Sequence, residues 1–121
     1  MGLFGGKKKL GLRITVEAEL EIRSLLEDFR KRRSAPELPI LYDCEIDEYE
    51  VRINERRPSF RDANYMSVMT IAKFVYVGHG GWMLFCADRD SKWHIYDGFE
   101  TVSFAEALIE VESDPTGIFF G

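Results

Sequence analysis

Between residues 15 and 33 the apolar side chains Ala18, Ile22, Leu25, Leu26 and Phe29 recur at the spacing of a single helix face. Thr15 is placed to cap that helix. Glu17, Glu19 and Glu21 fall in its early turns and Arg30, Lys31, Arg32 and Arg33 in its last, which suits the helix dipole at both ends. Pro36 and Pro39 follow, so the helix is predicted to stop before Ser34. The period then shortens to two. Tyr42, Cys44 and Ile46 alternate with polar neighbours, as do Tyr49, Val51 and Ile53 beyond Asp47 and Glu48, predicting a half-buried β-hairpin with an acidic outer face.

Residues 55–64, E-R-R-P-S-F-R-D-A-N, hold Pro58 and three arginines and read as a loop leaving the sheet. A third strand is predicted over 67–77, with Val68 and Phe74 on one face and Met69, Ile71 and Val75 on the other, as in a strand covered on both sides. Gly78-His79-Gly80-Gly81 turns the chain, 82–87 forms a fourth strand, Asp88-Arg89-Asp90-Ser91 turns it again, and 92–96 forms a fifth. After Asp97 and Gly98, Ser103 and Glu106 make a capping box for a helix that buries Phe104, Ala107, Leu108 and Val111 and ends near Ser113. The expected fold class is α+β: an N-terminal helix, a five-stranded antiparallel β-meander, a C-terminal helix and an apolar tail, Ile118-Phe119-Phe120. Residues 1–14 read as a flexible basic leader and 15–121 as a single domain.

Composition sharpens this picture. With 121 residues, 45% hydrophobic and 13% aromatic, the chain can bury one core without disulfide or metal support, which excludes intrinsic disorder. Its apolar runs are too short for a membrane-spanning helix. The net charge is -5, yet the first 33 residues carry nine basic and five acidic side chains, leaving seven basic against sixteen acidic beyond them. That acidic body argues against general affinity for nucleic acid. The early lysines follow the apolar pair Leu3-Phe4, and Gly6 breaks the myristoylation pattern, so neither a secretory signal nor a lipid anchor is expected. Two distant cysteines, Cys44 and Cys86, suit a reducing cytoplasm.

Three tracts carry a family resemblance: Glu55-Arg56-Arg57-Pro58; W-M-L-F-C-A-D-R-D-S-K-W-H-I-Y-D over 82–97; and D-P-T-G-I-F-F-G over 114–121. The sequence resembles bacterial proteins grouped as a domain of unknown function, family three-zero-two-four, over nearly everything after the leader. That family's pattern has an aromatic after E-R-R-P, a W-H-x-Y-D tract and a G-I-F-W-G ending. Phe60 and Phe120 stand here where tryptophan is usual, which keeps the aromatic character and removes two indole N–H donors. The resemblance implies one domain of bacterial origin and supplies no activity, substrate or partner.

Candidate chemistry concentrates in two places. On the last hairpin, Lys92, His94 and Tyr96 share one strand face, and His94 with Asp97 could form an acid–base pair. The simpler reading is a polar turn followed by a core Trp93 and a solvated His94, since no nucleophile or phosphate loop accompanies the histidine. Around Pro58, Arg56, Arg57 and Arg61 interleave with Phe60 and Tyr65, a patch suited to phosphate or a stacked base. The acidic hairpin at 43–50 offers these arginines internal partners instead, which the negative body favours. Cys44, Cys86, His79 and His94 lack the spacing of a zinc site, and Asp88 with Asp90 lacks the rest of a Ca²⁺ loop. No cofactor is therefore expected.

The expected function is a small cytoplasmic binding or protein-interaction module. Its candidate binding residues are Arg56, Arg57, Phe60, Arg61, Trp82, Lys92, His94 and Tyr96. The alternative is a hydrolase-type enzyme using His94 and Asp97, with an arginine such as Arg57 holding an anion.

Overall fold

The computed structural model describes residues 11–33, 40–59, 61–62, 64–96 and 102–120. Helix α1 (Val16–Arg33) precedes five strands, β1 (Leu41–Ile46), β2 (Glu50–Pro58), β3 (Met66–Gly78), β4 (Gly81–Ala87) and β5 (Trp93–Ile95), and helix α2 (Phe104–Ser113) follows them. The strands form one antiparallel sheet in the order β1-β2-β3-β4-β5. This is the expected α+β meander with a helix at each end.

Both helices cover the same sheet face. In register across it lie Ile46, Val51, Phe74 and Leu84, with Cys44, Ile53 and Ala72 in the next row. Ile22, Leu26 and Phe29 of α1 and Phe104, Ala107, Leu108 and Val111 of α2 close over these rows as one core cluster. The apolar stripe read in α1 is thus the face that is buried. Thr15 Oγ1 accepts from the Ala18 amide, and the Ser103/Glu106 capping box opens α2. The opposite sheet face carries ion pairs beside buried Val75 and Phe85. On it Arg52 bonds Glu45, Asp47 and Glu50, while Lys73 lies over the rings of Phe85 and Trp93 at 5.2 and 4.9 Å.

Two corrections to the predicted strands matter for function. β2 does not yield to a loop at residue 55; it runs to Pro58, with Glu55, Arg56, Arg57 and Pro58 opposite Met69, Val68, Ser67 and Met66. Proline is tolerated there because it stands at the strand end, where the β1 pairing has already stopped at Leu41 opposite Arg56. The second correction concerns β3. A bulge between Ile53 and Asn54 of β2 pairs Ile53 with Ala72 but Asn54 with Thr70, leaving Ile71 as the extra residue. An extra residue inverts the alternation, so Val68 and Phe74 face opposite sides of the sheet, and the simple two-residue period holds only within each half.

The β3–β4 turn places His79 at φ 53° and Gly80 at φ 73°, the paired positive φ of a tight hairpin. Before α1, Leu12 donates its amide to the Tyr76 carbonyl and Ile14 to that of Glu48, both at 2.8 Å. Gly11 lies so close to this strand that a Cβ would stand 2.5 Å from the Tyr76 carbonyl oxygen. Part of the stretch expected as a leader is therefore bonded to the body, while residues 1–10 lie outside the described residues.

At the C-terminus, Asp114 at the end of α2 accepts from the Phe119 and Phe120 amides (3.0 and 2.9 Å). These bonds turn the tail under the sheet. Phe119 is 4% exposed and 5.2 Å from the Tyr96 ring, while Phe120 lies edge-on to Tyr42 at 5.8 Å beneath the Arg33 guanidinium. Phe119→Ala is expected to lower stability by about 3 kcal/mol in urea denaturation. A loss below about 1 kcal/mol would mean that the tail is not part of the core.

Candidate functional site

The sequence-predicted residues separate into two groups at different places on the sheet, with Trp82 belonging to neither. Trp82 is 2% exposed, packed at 5.0 Å from the Tyr76 ring and 5.2 Å from Phe104, so it is a core residue and offers no ligand-accessible surface. Phe60 and Asp97 lie outside the described residues.

The first group occupies the β4–β5 hairpin. Asp88 opens the turn, and its Oδ1 accepts from the Asp90 and Lys92 amides at 2.9 Å each. Its Oδ2 meets His94 Nε2 at 2.6 Å. The bond to His94 holds the Asp88 carboxyl below the usual aspartate range, with the Lys92 and Asp90 amides adding to the effect. Thus Asp88 is the described carboxylate on this histidine, a role the sequence reading gave to Asp97. Cys86 stands directly opposite His94 in the ladder and shares its face. The alternating pattern did not reveal this, because cross-strand register is a product of turn length.

Cys86, His94, Ile95, Tyr96, Thr116 and Ile118 line an open depression beside this hairpin. The His94 side chain is 58% exposed. Tyr96 donates its hydroxyl to Glu110 (2.6 Å), which holds the phenol above the usual tyrosine pKa and ties the end of β5 to α2. Lys92 is exposed. The arrangement can hold a proton between imidazole and carboxylate beside a buried thiol. Among the described residues no cluster of three or more His, Cys, Asp or Glu side chains is gathered as for a metal ion. Of the four zinc candidates Cys86 on β4 and His94 on β5 are neighbours, while Cys44 lies on β1 and His79 in the β3–β4 turn. Burial pushes the Cys44 thiol up to about 11, against a weaker opposing pull from Arg30.

The second group lies on the β2–β3 hairpin. Arg56 donates to Asp43 and Arg57 to Glu55, both at 2.6 Å, and the 7%-exposed Glu55 also accepts from the Tyr42 hydroxyl. Arg61 is exposed, and its amide bonds Ser59 Oγ. The hairpin outreaches its neighbours. β4 pairs with β3 only from Lys73 onward, so among the described residues no strand lies against the 66–72 half of β3 on that side. Tyr65, Val68 and Met69 are 66%, 50% and 61% exposed, contrary to a strand covered on both faces. The available signal was the uncharged run Y-M-S-V-M-T-I-A at 65–72, flanked by Asn64 and Lys73.

A family model described as Domain of unknown function (DUF3024) matches residues 14–121, the helices, the sheet and the tail together. The chain belongs to this family. No curated protein and no solved structure matches it. The DUF3024 match spans both residue groups and assigns chemistry to neither.

Two titrations probe these environments. A folded carboxyl that is more acidic than in the unfolded chain adds stability above its unfolded pKa, and this is lost as pH falls through the lowered value. Carboxyl-carbon NMR should place the Asp88 midpoint below the ordinary aspartate value, and His94→Ala should move it upward; an unchanged midpoint would separate the two groups. Cys44 runs the other way. Its raised value adds stability that is complete below 9.0 and lost as pH rises toward about 11. Urea denaturation should show a smaller loss over that window in Cys44→Val than in the natural chain.

Proposed function

We propose that this DUF3024 chain is a non-catalytic protein-interaction module of the bacterial cytoplasm, and that its docking element is the open half of β3. The observation that carries the reading is that residues 66–72, paired with β2 on one side, have no described strand on the β4 side, in a stretch where Met66, Val68 and Met69 are all exposed. A strand edge offers main-chain donors and acceptors at a fixed spacing, and neighbouring side chains add apolar contact to an incoming strand. Arg61 on the adjoining loop supplies a cation at the rim. The cytoplasmic assignment draws on the two cysteines, Cys44 and Cys86, which stand on strands separated by β2 and β3.

The hydrolase alternative draws on the Asp88–His94 pair and the Cys86 thiol opposite it. It takes second place because the imidazole is largely solvated and the thiol is buried, a poor arrangement for a nucleophile that must reach substrate. With a photo-crosslinking residue at position 68, adducts to protein are expected in the cytosol, and none from position 20 on the exposed side of α1. An absence of adducts at 68 would overturn the reading. So would turnover of ester, amide or phosphoester probes that His94→Ala abolishes.

A further inference from the structure

The open edges of the sheet are not equally protected. β1 sets Asp43 and Glu45 on its outer face and receives Arg30, whose Nε donates to the Tyr42 carbonyl (3.1 Å). β5 is three residues long. The 66–72 half of β3 reads M-S-V-M-T-I-A, with no charge and no proline. Short length, charge and proline are the usual guards against edge pairing, so this segment is the unguarded one among the described strands.

Its outward-facing groups follow from the ladder. Ser59 donates its amide to the Tyr65 carbonyl (2.6 Å), which marks residues 59 and 65 as a hydrogen-bonded pair in the register that sets Pro58 opposite Met66. Antiparallel ladders alternate such pairs with non-bonded ones. Arg57 with Ser67 and Glu55 with Met69 therefore spend their bonds between β2 and β3, while the N–H and C=O groups of Met66, Val68 and Thr70 point away from β2 into the open edge. Pro58, which has no N–H, fits the same alternation from the other strand.

Resting on the reading of β3 as a docking edge, we infer that the strand it takes is the same segment of a second copy of this chain, paired antiparallel about a two-fold axis at Val68. In that register Val68 faces its own copy, Met66 faces Thr70, and Ser67 faces Met69 on the other side of the sheet. The outward groups of 66, 68 and 70 then satisfy one another in roughly six hydrogen bonds. Such an interface is self-complementary and closes after two copies.

Charge selects this occupant. The chain carries a net -5, so pairing two copies through most of its surface sets like charges together. A β1–β1 seam would gather Asp43 and Glu45 from both copies. The 66–72 seam gathers none, and its side chains meet apolar against apolar or against the small Ser67 and Thr70. The two sheets become one continuous sheet, with the remaining acidic surface held outside the seam.

Sedimentation equilibrium of the full chain across the micromolar range tests the inference. The natural chain is expected at twice its monomer mass. Val68→Lys and Val68→Glu each place like charges opposite one another at the axis, and each is expected to weaken dimerisation at least about tenfold with its circular dichroism spectrum unchanged. Mixing the two variants should restore a dimer containing one of each, because position 68 meets position 68. A natural chain that stays monomeric throughout, or a dimer indifferent to both charges, would overturn the second-copy assignment. So would a mixture that fails to recover. Position-68 crosslinks to proteins of other mass would then leave the docking edge standing with a different occupant, whereas their absence would remove the edge reading as well.

Discussion

The bulge at Ile71 organises the molecule. On its inner side β3 is flanked by β2 and β4, and Ala72, Phe74 and Tyr76 are buried beneath the helices. On its outer side the alternation inverts, β4 no longer pairs, and Val68 and Met69 meet solvent. One inserted residue thus separates a strand that builds the core from a strand that presents an edge. Asn54 marks the junction, accepting from Thr70 Oγ1 (2.7 Å) and donating to Glu45 (3.0 Å). A 4%-exposed amide needs such partners, and with both in place the irregularity becomes a fixed feature of the sheet.

The rest of the fold clamps that sheet from one side. α1 and α2 approach from opposite ends of the chain, and Arg32 of α1 bonds Glu112 of α2 through two nitrogens at 2.9 and 3.0 Å. This pair is substantially exposed, so it orients the helices more than it stabilises them. The larger contribution is apolar: Phe29, Phe74, Ile22, Ile53, Leu84, Val51 and Val111 are fully buried. The tail adds Phe119 and Phe120 between Tyr96 at one side of the sheet and Tyr42 at the other, bridging β5 and β1 across the covered face. Phenylalanine at 120 needs no hydrogen-bond partner there, which suits its place between a tyrosine ring and the Arg33 guanidinium.

Features encoded within a few residues were legible in the sequence. The α1 stripe, the Ser103/Glu106 box and the Gly78–Gly81 turn each depend on local spacing or backbone freedom. Features set by register were not. Glu55-Arg56-Arg57-Pro58 looks like a loop by composition, yet β3 supplies it a ladder; Arg56 does pair with Asp43 of the acidic hairpin, as expected, whereas Arg57 takes Glu55 of its own strand. Both partners come from across a strand or two positions away on it. The bulge is equally invisible, because Ile71 is as suitable for a strand as any neighbour. At the last hairpin the local pattern correctly put His94 and Tyr96 on one face, but which carboxylate and which thiol stand beside the imidazole depended on how the 88–91 turn closes.

Edge protection links these observations to function. Glu55 could have guarded the hairpin, but it is turned inward beneath Tyr42 and Arg57, and Arg56 reaches from β2 to Asp43 of β1. The β2 charges Glu55 and Arg56 are thereby directed toward β1, away from the open side of β3. Moving a charge onto exposed Met66 or Val68 would leave the core rows at Ile53, Ala72 and Phe74 untouched, since both positions lie beyond the bulge. Stability alone therefore does not require this edge to be neutral. A neutral, β-branched and methionine-bearing edge carries an aggregation hazard when bare and a continuous ladder when paired, so its composition is best accounted for by a strand that covers it.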